Sequence, residues 1–351
     1  MAAKIAVLGA GAWGLTLAGL WARSSKPKPI SLYCRDKVKA ERLMTTRVMD
    51  KPRGYGIVPE IGIESDLRAC LQGASVIVFA CTSQSMRVLA AEVGAVIGAG
   101  SPAARDPALT SIGHGLDDKL PVLVSAVKGL ELGTLMRMSE VLGEVMPGRP
   151  VAALTGPNLS EEILNGMPAA SVIASSDAEL ARALQELLSV SKFRVYANDD
   201  VIGSELGGTL KNYIAIAAGS CDGLGLGINA KAALLTRGLA EMSRLAVRLG
   251  AKPTTLSGLA GMGDLFATCA SPLSRNYRVG FELVRGKSLD QILTGLGAVA
   301  EGVTTAAAVC ELSKRLGLEL PIAEQVESTL KGNSTPAGAI MALLSRPLVS
   351  E

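Results

Sequence analysis

A chain of 351 residues with 48% hydrophobic content and a mean hydropathy of +0.35 buries a substantial core, enough for about two domains, and is not disordered. A formal charge of only +3 gives no duplex-binding face, and 3% aromatic content offers few stacking platforms, so small phosphorylated ligands fit better than nucleic acid. Six cysteines (Cys34, Cys70, Cys81, Cys221, Cys269 and Cys310) are scattered without a C-x-x-C, which points to reduced thiols in a cytosol and to neither disulfides nor a metal site.

The apolar run Ile5 to Leu8 reads as a first strand. Gly9, Gly11 and Gly14 follow it and open a helix carrying Leu15, Leu17, Leu20 and Trp21. The first glycine permits a tight strand-to-helix turn, the second lets a pyrophosphate approach the backbone, and the third lets helix pack on strand. A lone G-x-G-x-x-G is weak in a chain with 39 glycines, but strand, turn and helix come here in the order that a dinucleotide site requires. No charge interrupts Ile5 to Ala22, a length near a minimal membrane span or signal core. Glycines at turn spacing, with Arg23 and Lys26 behind them, argue instead for a soluble, untargeted, cytoplasmic protein.

A second strand, Ile30 to Cys34, ends at Arg35 and Asp36, where an acid would bind the ribose 2′-OH of NAD(H). Arg35 pairs instead with a 2′-phosphate, so NADP(H) is preferred, and Asp36 keeps NAD(H) possible. Further strands are read at Val76 to Ala80, Val122 to Ser125, Val151 to Leu154, Ala170 to Ala174 and Phe193 to Tyr196. Helices fall between several of them, at Gln84 to Ile97, Leu135 to Val145 and Ala178 to Leu188. The polar stretch Ser101 to Lys119 reads as a long surface loop carrying the single histidine, His114. The alternation predicts an α/β fold with a parallel, doubly wound, Rossmann-type sheet over residues 1–197. After Asn198 helical periodicity takes over, at Leu206 to Ala218, Ala230 to Leu249 and Thr304 to Leu316, and predicts an all-helical C-terminal domain over 198–351.

With His114 in an exposed loop, proton transfer falls to another side chain. Lys211 is flanked on its helix by Gly207, Gly208, Ile214 and Ala215, none of which hydrates an ammonium, so desolvation is expected to depress its pKa. The competing reading is a lysine whose stem covers apolar surface and whose head reaches water. Lys128 follows a strand at the carboxyl edge of the sheet, where open α/β folds collect ligands, or is an ordinary loop lysine. Asp264, in Gly261-Met262-Gly263-Asp264, reads as an Asx turn or the N-cap of a helix from Leu265 to Cys269. Ser274, Arg275 and Asn276 read as a helix start that either caps itself or binds phosphate.

Eight segments together resemble the NAD(P)-dependent glycerol-3-phosphate dehydrogenases of bacterial type over nearly the whole chain. They are Gly9-Ala10-Gly11-Ala12-Trp13-Gly14, Ser83-Gln84-Ser85-Met86-Arg87, Lys128-Gly129-Leu130-Glu131, Gly156-Pro157-Asn158, Glu205 to Asn212, Gly261 to Asp264, Ser274-Arg275-Asn276 and Glu301-Gly302-Val303. The resemblance implies reversible reduction of dihydroxyacetone phosphate to sn-glycerol 3-phosphate, feeding glycerophospholipid synthesis, by a homodimer. It implies Lys211 as general acid/base, with Lys128 and Asp264 assisting, and Arg275 and Asn212 on the substrate phosphate. Gly156, Asn158, Thr268, Ser274 and Asn276 complete the implied substrate pocket. Cofactor contacts are implied at Gly9, Gly11, Ala12, Trp13, Gly14, Arg35, Lys128, Ser160, Arg275, Val299 and Glu301. Thr82, Asn158 and Ser160 depart from the family's usual residues. The competing functions are a related 3-hydroxyacid dehydrogenase, which would not need Arg275, and an NADPH-binding redox sensor, which would not need a buried lysine.

Overall fold

The apolar runs of the first half form strands, and the computed structural model, which describes residues 3–98, 120–297 and 299–346, sets eight of them in one sheet. These are β1 (Lys4–Leu8), β2 (Ile30–Tyr33), β3 (Ile61–Glu64), β4 (Ala74–Phe79), β5 (Val122–Ser125), β6 (Val151–Thr155), β7 (Ala169–Ala174) and β8 (Phe193–Asn198). Their order is β3-β2-β1-β4-β5-β6-β7-β8, so the chain reverses direction across the sheet between β1 and β4. Ligands of doubly wound sheets bind at such a reversal, outside the carboxyl ends of the strands. Ile5 to Leu8 and Ala74 to Phe79 are buried without alternation, as helices on both faces of a parallel sheet demand. The helices of this part are α1 (Ala12–Ala22), α2 (Lys37–Thr46), α3 (Leu67–Leu71), α4 (Met86–Ile97), α5 (Met138–Val145), α6 (Ser160–Leu164) and α7 (Ala178–Leu188). Trp21, fully buried on α1, donates its indole N–H to the Leu188 carbonyl at 3.0 Å and ties α1 to the end of α7.

Two features depart from the sequence expectation. The sheet is not wholly parallel, because β6 and β7 pair antiparallel (Leu154 opposite Ile173) while the other neighbours are parallel. The strand Ile61–Glu64 escapes the pattern because it is a four-residue edge strand, half-exposed on one face and interrupted by Gly62. Residues 101–119, with His114, lie outside the described residues.

The chain divides into two compact units, Met1–Val127 with Arg137–Val201, and Lys128–Met136 with Ile202–Glu351. A single break after residue 197 does not describe this division. Leu130 and Leu135 bury in the apolar core of the second unit, so that short segment belongs there.

The second unit holds α8 (Val201–Gly223), α9 (Gly227–Arg248), α10 (Pro253–Leu256), α11 (Asp264–Ala270), α12 (Arg275–Val284), α13 (Leu289–Leu296), α14 (Glu301–Leu316), α15 (Pro321–Leu330) and α16 (Pro336–Leu344). Its central rod is α8, in which every residue from Gly203 to Ile216 is buried. Small residues make that enclosure possible. A Cβ at Gly219 would stand 1.9 Å from the Tyr277 carbonyl oxygen, and one at Gly280 would stand 1.8 Å from that of Ile216, so α8 and α12 touch backbone to backbone. The buried Glu241 carboxylate accepts from the Tyr213 hydroxyl (3.0 Å) and from the Ile322 and Ala323 amides (2.9 Å each), joining α8 and α9 to the start of α15. No helix among the described residues is long and apolar enough to cross a membrane.

Candidate active site

In the sheet unit, the glycine turn lies at the reversal between β1 and β4. Gly9 has φ +127°, and a Cβ there would meet the Ala80 carbonyl oxygen at 2.6 Å, so neither its conformation nor its surroundings admit a side chain. A Cβ at Gly14 would stand 1.9 Å from the Gly9 carbonyl oxygen. Gly11 differs, because a Cβ there would meet no protein atom within 4 Å. Protein packing therefore gives no reason for glycine at position 11, whereas a ligand lying against the turn does. Gly11 also starts α1 without a side-chain cap, which leaves the first helical amides at Ala12 and Trp13 for an anion. Trp13 packs its ring on Phe193, with centroids 6.4 Å apart.

Past β2 the two candidate selectors separate. The Asp36 carboxylate caps α2, accepting from the Lys39 amide at 3.0 Å, and is committed to the fold. Arg35 is half-exposed and forms a salt bridge with Glu92 of α4 at 3.0 Å, a surface pair of the kind that holds its partners only weakly. Two residues of this corner were not anticipated. Lys39 donates its ammonium to the Ala10 carbonyl at 2.8 Å and fixes the turn from below, and Glu92 faces Arg35. Neither stands in a sequence pattern that marks it.

At the end of β6, Gly156 (φ +128°) crowds against Ser171, whose hydroxyl donates to the Thr155 carbonyl at 2.6 Å. Asn158 donates to the Ser171 hydroxyl at 3.2 Å, and its own carbonyl oxygen is buried without a protein partner among the described residues. A buried acceptor of that kind asks for a donor from a ligand or water. Ser160 is the first residue of α6 and is half-buried.

In the helical unit, three charged residues meet. Lys211 on α8 donates to Asp264 Oδ1 at 2.7 Å, and Lys128 donates to Asp264 Oδ2 at 2.6 Å, so one carboxylate serves two ammonium groups. Thr268, one turn along α11, accepts from Lys211 at 2.5 Å and donates to Asp264 Oδ1 at 3.2 Å. Asp264 is 1% exposed and Lys211 6%. This corrects two sequence readings. Lys211 does not face only the small and apolar neighbours of its own helix, because α11 brings it a counter-ion. Asp264 is not a cap; it is the first residue of α11, after a wide turn closed by the Gly263 amide on the Gly258 carbonyl at 3.1 Å, and its carboxylate turns to the lysines. Burial acts visibly on Lys128, pulling its ammonium down to about 8, with Asp264 resisting and the Lys211 charge adding to the fall.

Beside Lys211, the Asn212 side chain accepts from Asn276 Nδ2 at 2.9 Å, and Asn276 Oδ1 accepts from the Gly302 amide at 2.9 Å. Ser274 caps α12 through the Tyr277 amide at 3.3 Å, and Arg275, the first residue of that helix, is exposed. Glu301 opens α14, two residues after the exposed Val299. The structure thus gathers Lys128, Lys211, Asp264 and Thr268 in one hydrogen-bonded group, and Asn212 with Asn276 in a second next to it.

Comparison with known proteins agrees over both units. The model of the NAD-dependent glycerol-3-phosphate dehydrogenase N-terminus matches residues 4–181, and that of the C-terminus matches residues 200–341. A glycerol-3-phosphate dehydrogenase (NAD(P)+) from Sphingopyxis alaskensis is 43% identical, covering 100% of this chain and 99% of its own length. One from Syntrophotalea carbinolica is 41% identical and covers 99% of each. The crystal structure of glycerol-3-phosphate dehydrogenase from Coxiella burnetii superposes with a TM-score of 0.88 at 34% identity, covering 98% of this chain and 99% of that one. With both halves matched and the length shared, the chain belongs to the NAD-dependent glycerol-3-phosphate dehydrogenase family.

Proposed function

We propose that this protein reduces dihydroxyacetone phosphate to sn-glycerol 3-phosphate, reversibly, with NADP(H) preferred and NAD(H) accepted, and so feeds glycerophospholipid synthesis in the cytoplasm. The observation that carries this reading is the Lys128–Asp264–Lys211 group, a solvent-poor cluster of net positive charge in a chain of this family. Reduced nicotinamide supplies a hydride to the carbonyl carbon when bound. The carbonyl oxygen then gains negative charge, which the Lys211 ammonium neutralises by giving its proton; in the reverse direction Lys211 takes the proton from the hydroxyl. Asp264 and Thr268 fix where Lys211 points, and Lys128 adds a second positive charge beside the same carboxylate.

Arg275 and Asn212 are proposed to hold the substrate phosphate, with Ser274, Asn276, Gly156 and Asn158 shaping the rest of the pocket. A fixed phosphate supplies binding energy that aligns a small ketone. Gly9, Gly11, Ala12, Trp13 and Gly14 are assigned to the cofactor pyrophosphate, Arg35 to the 2′-phosphate, and Ser160, Val299 and Glu301 to further cofactor contacts. The commitment of Asp36 to a helix cap supports the preference for NADP(H). The protein is further proposed to be a homodimer, which sedimentation equilibrium tests. A redox sensor would have no use for two lysines on one buried aspartate. Loss of nicotinamide absorbance when the protein is mixed with NADPH and dihydroxyacetone phosphate, run beside NADH, tests the whole reading; cofactor binding without turnover would refute it.

A further inference from the structure

The glycine turn between β1 and α1 is pinned at both ends by backbone. The Gly9 amide donates to the Tyr33 carbonyl at 3.1 Å, and the Gly11 carbonyl accepts from the Leu15 amide at 3.0 Å. Between them lies the Ala10–Gly11 peptide, which is trans, and its carbonyl oxygen accepts from the Lys39 ammonium at 2.8 Å. In a planar trans peptide the C=O and the N–H point in opposite directions. Lys39 therefore fixes the rotation of this unit. With the oxygen drawn toward α2, the Gly11 N–H is turned away from it, and α1 starts from a peptide plane that is already set.

Local rules do not place a lysine at position 39. It stands in the first turn of α2, where the helix dipole disfavours a cation, and that turn, beyond its Asp36 cap, holds no acid. Asp50 is 4.0 Å away and shared with Arg42, too far for a hydrogen bond to Lys39. The Ala10 carbonyl is thus the short polar contact of a half-buried ammonium, and a charge-assisted bond of this kind grips harder than one from a neutral donor.

We infer that Lys39 is a positioning residue for the cofactor pyrophosphate, which holds the Ala10–Gly11 peptide so that the amides of the turn face the two phosphates that NADPH and NADH share. The inference rests on the assignment of the glycine turn to that pyrophosphate. Lys39 acts through the backbone, so its loss falls on both cofactors alike and spares a nucleotide that has no pyrophosphate.

The test measures dissociation constants of NADPH, NADH and adenosine 2′-monophosphate for wild type, Lys39→Met, Gly11→Ala and the double variant. Methionine keeps an apolar stem and lacks the ammonium. Lys39→Met is expected to weaken NADPH and NADH to the same degree, roughly 5- to 30-fold, and to leave adenosine 2′-monophosphate within about twofold. In the Gly11→Ala background the same substitution is expected to add less than about threefold, because the pyrophosphate no longer lies against the turn. A loss confined to NADPH, or shared by adenosine 2′-monophosphate, would make Lys39 a direct partner of the 2′-phosphate and overturn the inference. Unchanged affinity for both cofactors, or full additivity with Gly11→Ala, would overturn it as well. Failure of the underlying assignment looks different, as Gly11→Ala binding both cofactors like wild type. Should Lys39→Met not fold, Lys39→Gln carries the same comparison with the same outcomes.

Discussion

The Lys211 ammonium lies 2.7 Å from Oδ1 of Asp264, a carboxylate sealed from solvent, so the proposed proton donor is also half of a buried ion pair. Removing the carboxylate charge leaves two ammonium groups facing each other. Asp264→Asn is expected to cost about 3 kcal/mol or more of stability and to reduce turnover at least about a hundredfold, read by urea titration and steady-state rates. A variant of normal stability and rate would show that the pair carries neither role.

Lys211→Met keeps the length and loses the proton. Turnover is expected to fall roughly a hundred- to ten-thousand-fold, while NADPH binding by fluorescence titration stays within about threefold of wild type. Unchanged turnover would remove Lys211 from the mechanism.

The Lys128 shift gives a pH signature. Folded Lys128 loses its proton near pH 8 and the unfolded chain holds it to about 10.5, so within that window the unfolded state binds more protons and stability from this group rises with pH. Below about pH 8 the cost of the buried charge is fully present. Arginine stays charged throughout, so the stability of wild type relative to Lys128→Arg is expected to increase across the window. Wild-type kcat/KM is expected to fall on the alkaline side from about pH 8, and that fall is expected to flatten in the same variant. Identical profiles for the two proteins would mean that Lys128 does not titrate there.

Arg35 and Glu92 set the cofactor balance. Arg35→Ala is expected to lower the preference for NADPH over NADH about tenfold or more, because a charge-assisted contact to phosphate is lost. Glu92→Gln frees Arg35 from an exposed pair and should raise the same preference about two- to fivefold, the range such pairs are worth. The measurement is the ratio of kcat/KM for the two cofactors, and opposite signs in the two variants are the expected result.

Two glycines of one turn should fail in different ways. Gly14→Ala places a Cβ 1.9 Å from a carbonyl oxygen and is expected to yield little folded protein. Gly11→Ala meets no protein atom, so its melting temperature should stay within about 4 °C while NADPH affinity falls about tenfold or more. Normal affinity in Gly11→Ala would place the pyrophosphate elsewhere.

Much of the fold was legible because burial on both faces writes itself as unbroken apolar runs. Val122–Ser125 and Ala178–Leu188 carry the boundaries that their periodicity predicts. Ile61–Glu64 did not register, since an edge strand with one wet face and a glycine looks like loop. Nor does an apolar run carry its pairing direction, so the antiparallel contact of β6 and β7 had no signature. Lys211 stood out by its small neighbours, but its counter-ion lies 53 positions away and the second lysine 136 positions from that aspartate, distances over which spacing says nothing. Asp264 after Gly263 resembled a cap for the same reason that it is not one, since the wide turn before it re-aims the carboxylate.

The excursion of residues 128–136 into the helical core has a practical corollary for anyone dissecting the molecule. A gene fragment starting at codon 198 would encode the helices without Lys128, and its Asp264 would meet one ammonium instead of two. Independent production of that half calls for grafting the nine-residue stretch Lys128–Met136 ahead of its first helix.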